Sequence, residues 1–236
     1  MTSFAHLPVG SVDVLPSVAA VNWPDRAALR TASGTVTFVE LDLAVSRLAF
    51  GLRQQLGGDG LTVAVSALPG THFPAAFYAI VRSGNVAAPV DPDTRAEVFA
   101  DFLAVTRARA VILDRAMYER VRAVLPETLE LVLLLDAPAG PGVLTCAELA
   151  AGGSLLVEPR DRDEREPAAI LSGLLTHHEL KVRASAVARN AVVLTTMSAY
   201  DPVAMSAALL TGATQVLSGG EETPTRLPAE PGLQAA

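Results

Sequence analysis

Residues 61–92, LTVAVSALPG THFPAAFYAI VRSGNVAAPV DP, read as a strand, a helix and a second strand. Leu61–Ala67 is a short apolar run rich in valine, the pattern of a strand covered on both faces. Thr71–Ser83 carries a helical pattern closed by Gly84, and Val86–Val90 is a second apolar run stopped by Pro92. Two such runs joined by a helix within about 30 residues make a parallel βαβ unit.

The alternation continues in both directions. Downstream come a helix over Thr94–Arg107, a strand Ala110–Leu113, a helix through Val124 and a strand Leu129–Leu135. A weak stretch from Ala137 to Gly153 holds one short helical turn near Ala147. Glu158–Pro167, EPRDRDEREP, is charge-dense and bracketed by prolines, and reads as a solvated loop, with a docking segment as the alternative. A strand Ala168–Leu171, a helix Thr176–Arg189, a strand Ala191–Thr196, a helix Pro202–Leu210 and a strand Ala213–Leu217 follow. The polar, Pro/Gly-rich residues 218–236 read as a disordered tail. Upstream, Ala27–Thr31 and Thr35–Phe38 flank Ser33-Gly34 as a hairpin. Thr37 and Glu40 form a capping-box pattern that opens a helix to Leu56. Leu41, Val45, Leu48, Leu52 and Leu56 line one stripe of that helix. The fold class is α/β, mostly parallel sheets flanked by helices.

Composition narrows the function. The chain has 236 residues, a formal charge of −7, 50% hydrophobic and 18% charged residues, with a mean hydropathy of +0.37. Net acidity without a basic face argues against nucleic acid as a partner. No apolar run approaches the roughly 20 residues of a membrane-spanning helix, and the first ten residues lack a secretory pattern. Cys146 is the single cysteine, which fits a cytoplasmic protein without disulfides. Lys181 is the single lysine against 17 arginines, so chemistry that needs two lysines is excluded.

Several segments, in order, resemble the N-terminal part of the adenylate-forming superfamily of acyl-CoA ligases and nonribosomal peptide adenylation domains. Pro24–Leu29 resembles its opening strand and Thr35–Leu41 its "lTYaEL" element. Phe77–Pro92 resembles "lAvlraGavvvPldP", Leu174–Leu180 resembles "vlLTHrnL", and Leu209–Leu217 resembles "LlaGAtvVl". The resemblance implies an incomplete N-terminal domain over residues 1–217. Residues 61–173 would form one lobe, and residues 1–60 with 174–217 part of a second.

One departure decides the expected chemistry. Where the family carries an SGTTGxPKG-type loop that cradles nucleotide phosphates, Ser172-Gly173 is followed directly by Leu174-Leu175-Thr176-His177. Lys181 lies over a turn into the next helix, where it reads as surface charge. The later nucleotide motifs and second lysine of the family would fall beyond Leu217. The expectation is therefore a chain that is not an ATP-dependent ligase on its own and has no cofactor.

Two roles remain. One is an accessory or binding subunit in bacterial specialised metabolism, a homo-oligomer or a complex with a biosynthetic enzyme or carrier protein. The alternative is a repurposed ATP-independent enzyme acting on an acyl or polyketide-like intermediate by cyclisation, dehydration or transfer.

The polar candidates are few. His177 and His178 are candidate catalytic groups, with His177 equally a helix-start residue. As neighbours on a helix they point about 100° apart and do not share a metal, so no metal site is expected. Their helix N-terminus could also offer N–H groups to an anion. Asp201 stands where peptide adenylation domains hold a substrate amino group. It is a candidate for catalysis or substrate contact, with Ser172 and Tyr200 beside it, for an acyl or aryl ligand. Asp201-Pro202 reads equally as a plain N-cap with proline at the first helical position.

Overall fold

The computed structural model describes residues 7–31, 34–56, 60–66, 72–135, 143–151, 162–190 and 201–217. Helix α1 (Val14–Asn22) precedes strands β1 (Ala27–Thr31) and β2 (Gly34–Thr37) and the long helix α2 (Phe38–Leu56). The central run is β3 (Thr62–Ser66), α3 (His72–Arg82), β4 (Val86–Pro89), α4 (Ala96–Thr106), β5 (Ala110–Leu113), α5 (Arg115–Val121) and β6 (Leu131–Leu134). Then come β7 (Leu144–Thr145), α6 (Cys146–Ala151), β8 (Pro167–Ile170), β9 (Leu174–Thr176), α7 (His177–Asn190), α8 (Pro202–Thr211) and β10 (Gln215–Val216). The expected strand Ala191–Thr196, Tyr200 and the tail 218–236 lie outside the described residues.

The expected βαβ unit is present: β3 and β4 pair in parallel, Thr62 opposite Val86 and Val65 opposite Pro89. Seven strands form one sheet in the order β7-β6-β5-β3-β4-β8-β9. All its pairings are parallel except β8 with β9. Alternate strand residues feed two separate cores. Val63, Val65, Ala110, Ile112 and Leu133 face the side covered by α2, α3 and α8. Ala64, Val111, Leu113 and Leu134 face α4 and α5, where Phe99, Leu103, Met117 and Val121 meet them. Burial on both faces is why these strands read as unbroken apolar runs.

The second sheet has three strands, β10-β1-β2. The hairpin of β1 and β2 is antiparallel as expected, and β10 joins β1 in parallel through Leu29 and Arg30. All five residues of the α2 stripe are buried. The capping box is made: the Thr37 amide donates to Glu40 Oε2 at 2.8 Å and the Glu40 amide to Thr37 Oγ1 at 3.2 Å.

Polar ties join the helices. Arg82, 5% exposed, donates through Nη2 to the Asp13 carbonyl at 2.6 Å and to Ser17 Oγ at 2.9 Å. It also donates through Nη1 to Ser46 Oγ at 2.7 Å and pairs with Asp42 at 2.9 Å. One guanidinium thus fixes α1, α2 and α3 against each other, its charge satisfied inside the fold. Tyr78 of α3 and Ser206 of α8 share a hydroxyl contact of 2.8 Å, and Ser206 Oγ donates on to the Pro202 carbonyl at 2.7 Å. Burial pushes the Tyr78 phenol above its ordinary range, so it remains a neutral hydrogen-bonding group. Gly212 ends α8 in the left-handed conformation, φ +66°, with the Trp23 indole against it.

Candidate functional site

The carboxyl-terminal ends of parallel strands are the usual ligand rim of an α/β sheet. Here the ends of β4 and β8 border a cleft of about 250 Å³ lined by Pro89, Val90, Asp91, Leu171, Asp201 and Pro202. Asp91 is exposed, and its Oδ1 accepts the Asp93 amide at 2.8 Å. Asp201 caps α8: its Oδ1 accepts the Val203 amide at 2.9 Å and the Ala204 amide at 3.2 Å. The N-cap reading of Asp201 holds, and the same residue also lines the cleft. Ser172, exposed, follows the cleft residue Leu171 directly.

Behind this rim, β8 and β9 form a hairpin. Ile170 pairs with Leu174, leaving Leu171, Ser172 and Gly173 as the whole connection. The Leu171 amide is taken by the Gly173 carbonyl at 2.9 Å. A three-residue turn closed on itself does not fit the phosphates of a nucleotide, which need a ring of free donors.

His177 and His178 do not line the cleft. They open α7 on the other side of the hairpin, against the segment 162–166 and a strap formed by Leu7–Asp13. His177 is fully buried. Its Nδ1 accepts the Val12 amide at 3.2 Å, and its Nε2 has no hydrogen-bond partner among the described residues. Burial is the main reason its pKa falls below the ordinary histidine range. His178 is exposed, with Nδ1 3.2 Å from Glu164 Oε2. The α7 N-terminus has no donors to offer an anion. The His177 amide goes to the Glu166 carbonyl at 3.2 Å and the His178 amide to the Glu164 carbonyl at 2.9 Å. The Glu179 amide goes to Thr176 Oγ1 at 3.1 Å, in a second capping box.

Lys181 overturns its surface reading. It is 1% exposed, four residues after His177 and so on the same helix face. Its Nζ donates to the Pro8 carbonyl at 2.7 Å, to the Gly10 carbonyl, and to Glu164 Oε1 at 2.9 Å. Glu164 also accepts the Gly10 amide at 2.8 Å. Its hydrogen bond from Lys181 is the main cause holding its carboxyl down at about 2.

The charged run before β8 is likewise not simply a solvated loop. Arg162 donates to the Gly84 carbonyl at 2.8 Å, and Glu164 is locked to Lys181. By donating to Pro8, Gly10 and Glu164 together, Lys181 ties the strap to this segment. Among the described residues no three His, Cys, Asp or Glu side chains gather as a metal set. No described helix is long and apolar enough to cross a membrane.

A doubly covered, mostly parallel sheet with a cleft at its strand ends defines an α/β domain. The model of the AMP-binding enzyme family matches residues 17–171, and the chain belongs to that family. Its relatives include the salicyl-AMP ligase / salicyl-S-ArCP synthetase of Mycobacterium tuberculosis, 29% identical over 175 residues. That match covers 68% of this chain and 30% of the relative. Nonribosomal peptide synthetase 8 of Aspergillus fumigatus is 26% identical over 147 residues, 62% of this chain and 2% of the synthetase. Among solved structures, a long-chain-fatty-acid-CoA ligase from Archaeoglobus fulgidus superposes with a TM-score of 0.81 at 20% identity. It covers 91% of this chain, which spans 48% of that ligase.

Proposed function

We propose that this chain is a non-adenylating member of the AMP-binding family, acting as an accessory or binding subunit in bacterial specialised-metabolite biosynthesis. One observation carries the reading: the three-residue hairpin turn at Leu171–Gly173 stands where the family's phosphate loop is expected. Lys181 does not stand in for the phosphate-loop lysine either, since it is committed to Pro8, Gly10 and Glu164. The acyl, aryl and aminoacyl chemistry of the named relatives makes a small carboxylic acid or a carrier-bound acyl group the natural ligand of the cleft.

The cleft favours one second reading. Ser172 follows the lining residue Leu171 in sequence, and two carboxylates, Asp91 and Asp201, border a space of about 250 Å³. That is room for a small ligand fragment, so an ATP-independent enzyme on an acyl intermediate would use these groups. Its reaction type is cyclisation, dehydration or transfer.

ATP–pyrophosphate exchange with salicylate, fatty acids and amino acids tests the main reading. Exchange should stay at the blank for every acid; exchange above the blank overturns it. Equilibrium dialysis with labelled salicylate separates the two roles. Binding without turnover, or no binding with retained carrier-protein association, supports the subunit. Conversion of an acyl-carrier substrate that is lost in Asp201→Ala supports the enzyme.

A further inference from the structure

We propose that His177 is the sensor of an acid-loosened strap: its neutral ring holds Val12 against α7, and its protonation frees Val12 while the sheet stays folded. The geometry is specific. The strap is tied to α7 at three points, Pro8 and Gly10 by Lys181 Nζ and Val12 by His177, and to the segment before β8 at a fourth, Gly10 by Glu164. Three of these ties use the Lys181 ammonium and the Glu164 carboxylate, not the imidazole. The tie at Val12 requires His177 Nδ1 to be a lone pair, because the Val12 N–H points at it from 3.2 Å. Adding a proton to Nδ1 sets two donors face to face, which repel.

Burial is the main resistance to the proton, and the charges around the ring modulate it. Asp13 on the strap and Glu166 on the segment before β8 favour it, whereas Arg162 on that segment and Lys181 on α7 oppose it. Glu164 is already engaged by Lys181 and His178. The ring's second nitrogen also has no acceptor among the described residues to steady an imidazolium. A proton taken up here is therefore most cheaply accommodated by parting the ring from the strap, which lets water in. The sign follows: the tie is intact above the ordinary histidine range and is lost as pH falls below it. The strap leads directly into α1, which packs on α8.

Amide hydrogen exchange on the full chain, read by NMR between pH 7.5 and 5.0 as protection factors, tests this. The wild type should lose at least tenfold protection at Val12 across that range while Val63 in β3 keeps its own. His177→Asn, whose side-chain carbonyl stands near Nδ1 and does not titrate, should hold Val12 within twofold. The His177 ring nitrogen shifts in the wild type should report double protonation in the same pH step, independent of any variant. A flat wild-type profile, an equal loss in His177→Asn, parallel loss at Val63, or a ring still neutral when Val12 is released would each overturn the proposal.

Discussion

Gly51 of α2 and Leu149 of α6 approach so closely that a β-carbon on the glycine would stand 2.4 Å from the leucine Cγ and 2.7 Å from its carbonyl oxygen. In an exposed helix, glycine to alanine gains about 1 kcal/mol. Here the overpacking cost of about 1–3 kcal/mol wins, because backbone as well as side chain must shift. Gly51→Ala should be less stable by about 1 kcal/mol in urea unfolding with the slope unchanged. An increase in stability would show that α6 yields freely.

Gly212→Ala should be worse. The residue sits at φ +66°, and its β-carbon would stand 2.5 Å from Trp23 Cδ2 and 2.7 Å from Cε2. A left-handed alanine costs roughly 1–2 kcal/mol, and the indole must also move. Trp23 is the only tryptophan, so its emission should shift along with a loss of about 3 kcal/mol. Unaltered fluorescence at wild-type stability would refute the contact.

Lys181→Met keeps the stem and removes the ammonium, leaving the Pro8 and Gly10 carbonyls and Glu164 without their donor. Breaking such a partly buried pair costs about 3 kcal/mol. Lys181→Arg should recover little, since a planar fork does not reproduce three donors from one nitrogen. Thermal unfolding of both variants checks this; full rescue by arginine would mean that charge alone matters.

Glu164 gives the chain a low-pH limb. Its folded carboxyl titrates at about 2 against 4.5 ordinarily, held down first by the Lys181 hydrogen bond. The folded state thus binds fewer protons than the unfolded one across that window, and stability falls as pH drops from 4.5 toward 2. Melting temperatures of Glu164→Gln should depend less on pH in that window than those of the wild type. Glu40, Glu148 and Glu179, also lowered by their capping threonines, contribute equally to both. Parallel slopes would discard the assignment.

What the sequence disclosed is what period and punctuation encode. The β3–α3–β4 unit, the α2 stripe and the Asp201 cap were readable because each is decided within a few residues. The boxes Thr145–Glu148 and Thr176–Glu179 follow the same spacing as Thr37–Glu40 and could have been found by it. The two-residue β7 and three-residue β9 are too short for periodicity to register. Lys181 was out of reach for another reason. A lysine is read as exposed unless its partners are known, and Pro8 and Gly10 lie more than 170 residues away along the chain.

Because Lys181 is both the sole lysine and enclosed by the strap, the folded chain presents no ε-amine to labelling, acylating or crosslinking reagents. Attachment chemistry through lysine will capture only molecules that have opened. The same side chain becomes a single-hit clock: its rate of modification measures how often the strap lifts, without any engineered probe.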